Sequence, residues 1–117
     1  MASDKKVAIV TGSARGIGES TAVMLAERNY NVVVNYASSA GEAKETAEAC
    51  ERAGAEVLLV QGDIAADADC RRIVDETMAK WGRLDVLVNN AGTTTYVNHV
   101  DLEGLTPEVW ERTFSVN

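Results

Sequence analysis

Thr11-Gly12-Ser13-Ala14-Arg15-Gly16-Ile17-Gly18 follows directly on the apolar run Lys6-Val7-Ala8-Ile9-Val10 and leads into a stretch that reads as a helix. A buried strand that runs into a glycine-rich turn and then a helix aims free backbone amides at one spot, and the helix start adds partial positive charge there. Gly12 suits the tight turn, Gly16 lets the backbone approach a bound group, and Gly18 lets the helix lie close to the sheet. The ligand that such a junction favours is a phosphate. The spacing is Gly-x-x-x-Gly-x-Gly, one residue longer overall than Gly-x-Gly-x-x-Gly, and no lysine follows Gly18. That disfavours a triphosphate-hydrolysing P-loop.

Outward from the turn the pattern repeats. Val32-Val33-Val34, Val57-Leu58-Leu59-Val60 and Leu84-Asp85-Val86-Leu87-Val88 are short continuous apolar runs, which predicts strands buried on both faces. Helical segments separate them. Over residues 16–28 the apolar side is expected at Ile17, Thr21, Val23, Met24 and Leu25. Over 39–53, Ala, Glu and Lys dominate, and Ser39-Ala40-Gly41-Glu42 fits a capping box. Over 67–81, Cys70, Ile73, Val74, Thr77, Met78 and Trp81 recur every three or four residues, with Asp67 and Asp69 in the first turn, where the helix dipole favours them. Thr106-Pro107-Glu108 opens a fourth helix, with Thr106 as cap and proline at the first helical position. This βαβαβαβα order predicts an α/β fold, a doubly wound parallel sheet with helices on both faces. Residues 93–105 are the main irregular piece, after the fourth strand, where open parallel sheets bind ligands.

Composition narrows the function classes. The 117 residues carry a net charge of −7, which argues against a nucleic-acid interface, since that needs a basic face. No segment reaches the roughly 18 consecutive apolar residues of a membrane span, and residues 1–6 do not begin a signal peptide, so a cytoplasmic protein away from membranes is expected. Cys50 and Cys70 fall on separate helices without metal-ligand spacing and read as reduced, buried thiols; no metal site is expected. His99 reads as loop surface, and Trp81 and Trp110 as core.

Four stretches together resemble the short-chain dehydrogenase/reductase family. Thr11 to Gly18 matches its Thr-Gly-x-x-x-Gly-Ile-Gly cofactor motif, Asn89-Asn90-Ala91-Gly92 its Asn-Asn-Ala-Gly motif, Asp63-Ile64 its adenine-contacting pair, and Ser115-Val116-Asn117 the segment with its catalytic asparagine. Within that family the chain most resembles the 3-oxoacyl-(acyl-carrier-protein) reductase-like or sugar dehydrogenase-like enzymes. The resemblance implies a Rossmann-type sheet in the order 3-2-1-4-5-6-7, of which this chain is the N-terminal part of one domain, and hydride transfer between a nicotinamide and a carbonyl or alcohol carbon. It assigns cofactor contacts to Gly12, Ser13, Arg15, Gly16, Ile17, Gly18, Asn35, Tyr36, Ala37, Ser38, Asp63, Ile64, Asn90, Ala91 and Gly92, a catalytic supporting role to Asn117, and a structural one to Asn89.

The second strand ends Val34-Asn35-Tyr36-Ala37-Ser38, with no carboxylate to bind the ribose hydroxyls of NAD. Arg15, with Asn35 or Ser38 as donors, points instead to the 2′-phosphate of NADP(H). The resemblance also implies a tyrosine general acid/base, a lysine four residues on that lowers its pKa and a serine that orients the substrate, and these are missing: Tyr30, Tyr36 and Tyr96 are followed four residues on by Val34, Ala40 and Val100. The expectation is therefore the cofactor half of a longer NADP(H)-dependent oxidoreductase, inactive by itself. Its fourth strand would form an open edge that needs the remainder of the enzyme or another copy, in a homo-oligomer acting on a small-molecule substrate. A non-catalytic dinucleotide-binding or interaction module is the alternative.

Overall fold

The computed structural model describes residues 3–92 and 106–116. Among these, strands β1 (Val7–Val10), β2 (Asn31–Tyr36), β3 (Val57–Gln61) and β4 (Val86–Val88) alternate with helices α1 (Gly16–Glu27), α2 (Ala40–Arg52), α3 (Asp67–Trp81) and α4 (Pro107–Val116). All pairings are parallel, in the order β3-β2-β1-β4, with Ile9 opposite Val33 on one side and Leu87 on the other. The chain steps from β1 out to β3 and then returns to the far side of β1. That reversal opens a crevice at the carboxyl ends of β1 and β4.

Strand alternation divides the core into two layers. Val10, Val32 and Val34 meet Ala22, Ala26, Ala43, Ala47 and Cys50 of α1 and α2, whereas Val7, Ile9, Val33 and Val60 meet Ile73 and Trp81 of α3. The helices thus cover both faces, as the continuous apolar runs of β1 and β2 predict. In β3 and β4 the burial is only partial, and Leu59 and Leu87 are exposed. Among the described residues β4 pairs with β1 alone and forms one sheet edge, with β3 at the other.

Two local expectations are corrected. The buried stripe of α1 is Gly18, Ala22 and Ala26, and the bulkier Ile17 and Met24 are 79% and 53% exposed. Small side chains let the helix axis approach the sheet closely, so here size outweighs hydrophobicity in choosing the inward face. The capping box at α2 does not form either: Ser39 makes no side-chain cap hydrogen bond, and Glu42 lies 3.6 Å from the guanidinium of Arg15. A local signal yields to an ion pair between elements.

Trp81 is buried as expected. Cys50 is fully buried, and desolvation, with Glu51 and Glu19 adding repulsion, pushes its thiol up to about 11. Cys70 is only half-buried and donates to the Ile64 carbonyl at 3.2 Å. Tyr96, His99 and Asn117, and the side chains of Trp110 and Phe114, lie outside the described residues.

Candidate functional site

The glycine turn is gripped by both neighbouring strands of β1. Gly12, at φ +61°, donates its N–H to Asn35 Oδ1 at 3.0 Å, and its carbonyl accepts from Asn90 Nδ2 at 3.1 Å. A Cβ at Gly12 would stand 2.8 Å from the Ala91 Cα, and one at Gly18 would stand 2.5 Å from both Asn90 Nδ2 and the Gly12 carbonyl. Real Cβ atoms do not approach so closely, so two successive close contacts require glycine. At Gly16 the requirement is a φ of +65°, with open space where a side chain would go.

Thr11 and Ser13 complete the brace. The Thr11 hydroxyl donates to the Val88 carbonyl (3.3 Å) and accepts from the amides of Asn90 (2.9 Å) and Ala91 (3.0 Å), joining β1 to the turn after β4. The buried Ser13 hydroxyl donates to the Val10 carbonyl (2.7 Å) and accepts from the Asn35 amide (3.0 Å). Its bonding is internal to the fold, and Ser13 is not among the residues lining the cleft.

The Asn35 side chain is likewise engaged within the fold. Asn35 borders the cleft, but its side chain is buried, and Nδ2 donates to the carbonyls of Val60 (3.4 Å) and Gly62 (3.3 Å). With Oδ1 held by Gly12, the amide has no donor left for a phosphate. Strand parity explains this: Asn35 shares a face with Val33, and Tyr36 shares the other with Val34. In the last turn, the bracing amide is that of Asn90, whereas Asn89 is exposed.

Between these braces and the ends of β2 and β3 lies a cleft of about 400 Å³. Gly12, Ala14 and Arg15 form one wall, Tyr36, Ala37, Ser38 and Ser39 a second, Gly62, Asp63 and Ile64 a third, and Asn90, Ala91 and Gly92 a fourth. Gly16, Ile17 and Gly18 belong to the first turn of α1 beside it, whose N-cap, Arg15, makes no side-chain cap hydrogen bond. The amides of that turn therefore keep their pull on an anion.

Two cleft residues were not legible from spacing. Arg112 and Val116 reach it from α4, and Arg112 Nη1 donates to Asp63 Oδ2 at 2.8 Å. That bond, with the Ala65 amide on Oδ1 at 2.9 Å, holds the Asp63 carboxyl below the usual carboxylate range. A carboxylate offers about four acceptor positions, so Asp63 retains capacity for another donor. No sequence-local pattern links positions so far apart; the sheet order alone brings them together.

A strand-turn-helix with an uncapped anion-binding end, set at the point where the strand order reverses, matches one family across the chain: residues 6–117 fit the short chain dehydrogenase family. The chain belongs to the short-chain dehydrogenases. Members of this family are oxidoreductases that bind nicotinamide dinucleotides. The chain is 47% identical over 116 residues to the protein named as ketoacyl reductase 2 of the granaticin polyketide synthase of Streptomyces violaceoruber, covering 99% of this chain and 45% of that one. It is 38% identical to the short-chain dehydrogenase/reductase homolog YusS of Bacillus subtilis, covering 89% of this chain and 95% of that one. Among solved structures, the reductase LugOII, described as catalysing keto-reduction at C1 during lugdunomycin biosynthesis, superposes with a TM-score of 0.82 at 37% identity, covering 95% of this chain and 48% of that one. The chain spans a little under half the length of the first curated relatives it matches. Among the described residues, no helix of this short-chain dehydrogenase is long and apolar enough to cross a membrane, and no cluster of His, Cys, Asp and Glu is arranged to hold a metal.

Proposed function

We propose that this chain is the cofactor-binding part of an NADP(H)-dependent reductase acting between a carbonyl and an alcohol. The observation that carries the proposal is the wall of the cleft at the end of β2: it holds Tyr36, Ala37, Ser38 and Ser39 without a carboxylate, and faces the guanidinium of Arg15. A carboxylate there would hold the ribose hydroxyls of NAD and repel a 2′-phosphate. Arg15 and the Ser38 hydroxyl offer donors for that phosphate, the first-turn amides at Gly16, Ile17 and Gly18 for the pyrophosphate, and Asp63 an acceptor for the adenine amino group, beside Ile64. Asn90, Ala91 and Gly92 close the ribose side.

The geometry fits a dinucleotide, because the positive-φ glycines keep side chains away from the uncapped helix start. When bound, the nicotinamide supplies or accepts the hydride. The residues of this chain bind and orient; Asn117, by the family pattern, supports a proton relay. The proton donor at the carbonyl oxygen comes from residues beyond this chain, in the remainder of a longer cytoplasmic, homo-oligomeric enzyme. Two relatives carry ketoacyl reductase or keto-reduction in their descriptions, which supports a carbonyl substrate.

Initial rates of the intact enzyme with NADPH and NADH test the proposal. A preference for NADPH that falls on Arg15→Ala is expected; a preference for NADH, or a gain on Arg15→Ala, overturns it. Turnover of a carbonyl compound by the 117-residue chain alone would place the proton donor within it.

A further inference from the structure

Glu42 stands beside Arg15, the residue that the cofactor assignment gives to a 2′-phosphate. Its Oε1 lies 3.6 Å from Arg15 Nη1, with the two side chains 50% and 70% exposed. The placement follows from a fixed contact one turn along the same helix face: the single proton of the buried Thr46 hydroxyl is shared between the Ala14 carbonyl, at 2.9 Å, and the Glu42 carbonyl, at 3.2 Å. Thr46 thus pins α2 to the glycine turn, and residues four apart lie one above the other, so Glu42 is carried over Arg15. Ser38 and Ser39, at the start of α2, border the cleft on this side.

We infer that Glu42 is a specificity-determining residue that weakens the grip of Arg15 on a 2′-phosphate and so moderates the preference for NADP(H) over NAD(H). The inference rests on the cofactor assignment above. A free Arg15 would meet the phosphate with its full charge. Here a carboxylate already stands beside the guanidinium, and on binding the phosphate either takes Arg15 from Glu42 or shares it, with two anions then close together. The pair is long enough to be exchanged without rebuilding the backbone. A ligand ending in 2′,3′-hydroxyls meets no such competition, because it does not need Arg15.

Titration calorimetry of the intact protein with adenosine 2′,5′-bisphosphate and with 5′-AMP separates the possibilities, since the two probes differ in the phosphate alone. Glu42→Gln is expected to tighten the bisphosphate roughly fivefold, the effect of removing one unit charge a few ångströms away in a partly solvated site. Affinity for 5′-AMP should stay unchanged. Glu45→Gln, an exposed carboxylate on the same helix, should alter neither. Equal effects from the two variants would reduce the role of Glu42 to net charge and overturn the inference. A bisphosphate preference lost on Arg15→Ala but untouched or lowered by Glu42→Gln overturns the role of Glu42 and leaves the NADP(H) assignment standing. A wild type without that preference, unaltered by Arg15→Ala, overturns the assignment itself. Matching thermal unfolding curves show that the variants differ in the site alone.

Discussion

At the turn end of the cleft, Gly12 is held by Asn35 and Asn90 through uncharged hydrogen bonds, with Thr11 and Ser13 closing the gaps between strands. At the β2 and β3 end the same cleft is held by charges: Arg15 with Glu42, and Arg112 with Asp63, all substantially solvated. The first arrangement has one geometry, because each buried donor or acceptor left unpaired costs about 1–3 kcal/mol. The second contributes little to stability, since exposed ion pairs are worth about 0–1 kcal/mol. Its charges can instead be exchanged for those of a ligand. A rigid cradle around the glycine turn thus adjoins an adjustable, charged rim.

The sharpest way to break this contrast is Asn35→Asp. At the end of β2 it looks like an exchange toward NAD, but the side chain points inward. The new carboxylate would face the Val60 and Gly62 carbonyls that now accept from the amide. A loss of about 3 kcal/mol or more in urea denaturation is expected, from two carbonyls stripped of donors; an intact fold with altered cofactor preference would put Asn35 at the rim instead. Gly18→Ala comes next, with about 1–3 kcal/mol of overpacking and loss of dinucleotide binding measured by fluorescence titration, because Asn90 and the Gly12 carbonyl have to move.

Substitutions at the rim should spare the fold. Asp63→Asn is expected to raise the KM for the dinucleotide about tenfold, the weight of one hydrogen bond to a charged group, with the unfolding midpoint nearly unchanged. The smallest effect concerns pH. Because the Asp63 carboxyl is held below its ordinary value, chiefly by the hydrogen bond from Arg112, the pair contributes stability that is complete above an unfolded pKa of about 4 and is lost as pH falls through the lower folded value. Arg112→Gln should move the Asp63 titration, followed by carboxyl NMR, upward toward the ordinary range. No movement would separate α4 from the rim.

Much of the cradle is written locally. The strand-turn-helix order, the glycine spacing and the sheet of continuous apolar strands all follow from short windows around Gly12, Val33 and Val60. The sequence reading failed where partners are distant or small. The inward stripe Gly18, Ala22, Ala26 is nearly silent on any hydrophobicity scale, although close helix-sheet packing demands it. The Asn35 side chain could have been placed by parity with Val33, because an amide in a doubly covered strand needs internal partners. Glu42 resembled a capping residue until the turn brought Arg15 beside it, and Arg112 had no signal at all, since its partner lies on another layer of the fold.

The depth of Cys50 gives the protein a built-in clock. Its thiol is fully buried on α2 and raised to about 11, so at neutral pH it stays protonated and shielded while α2 is seated. A thiol reagent can reach it only when that helix lifts from the sheet, and the labelling rate then counts those excursions. Cys70, half-buried on α3, should react sooner and give the reference rate in the same tube. Because Thr46 fastens α2 to the glycine turn, a nucleotide that settles on the turn should slow the clock at Cys50 more than at Cys70.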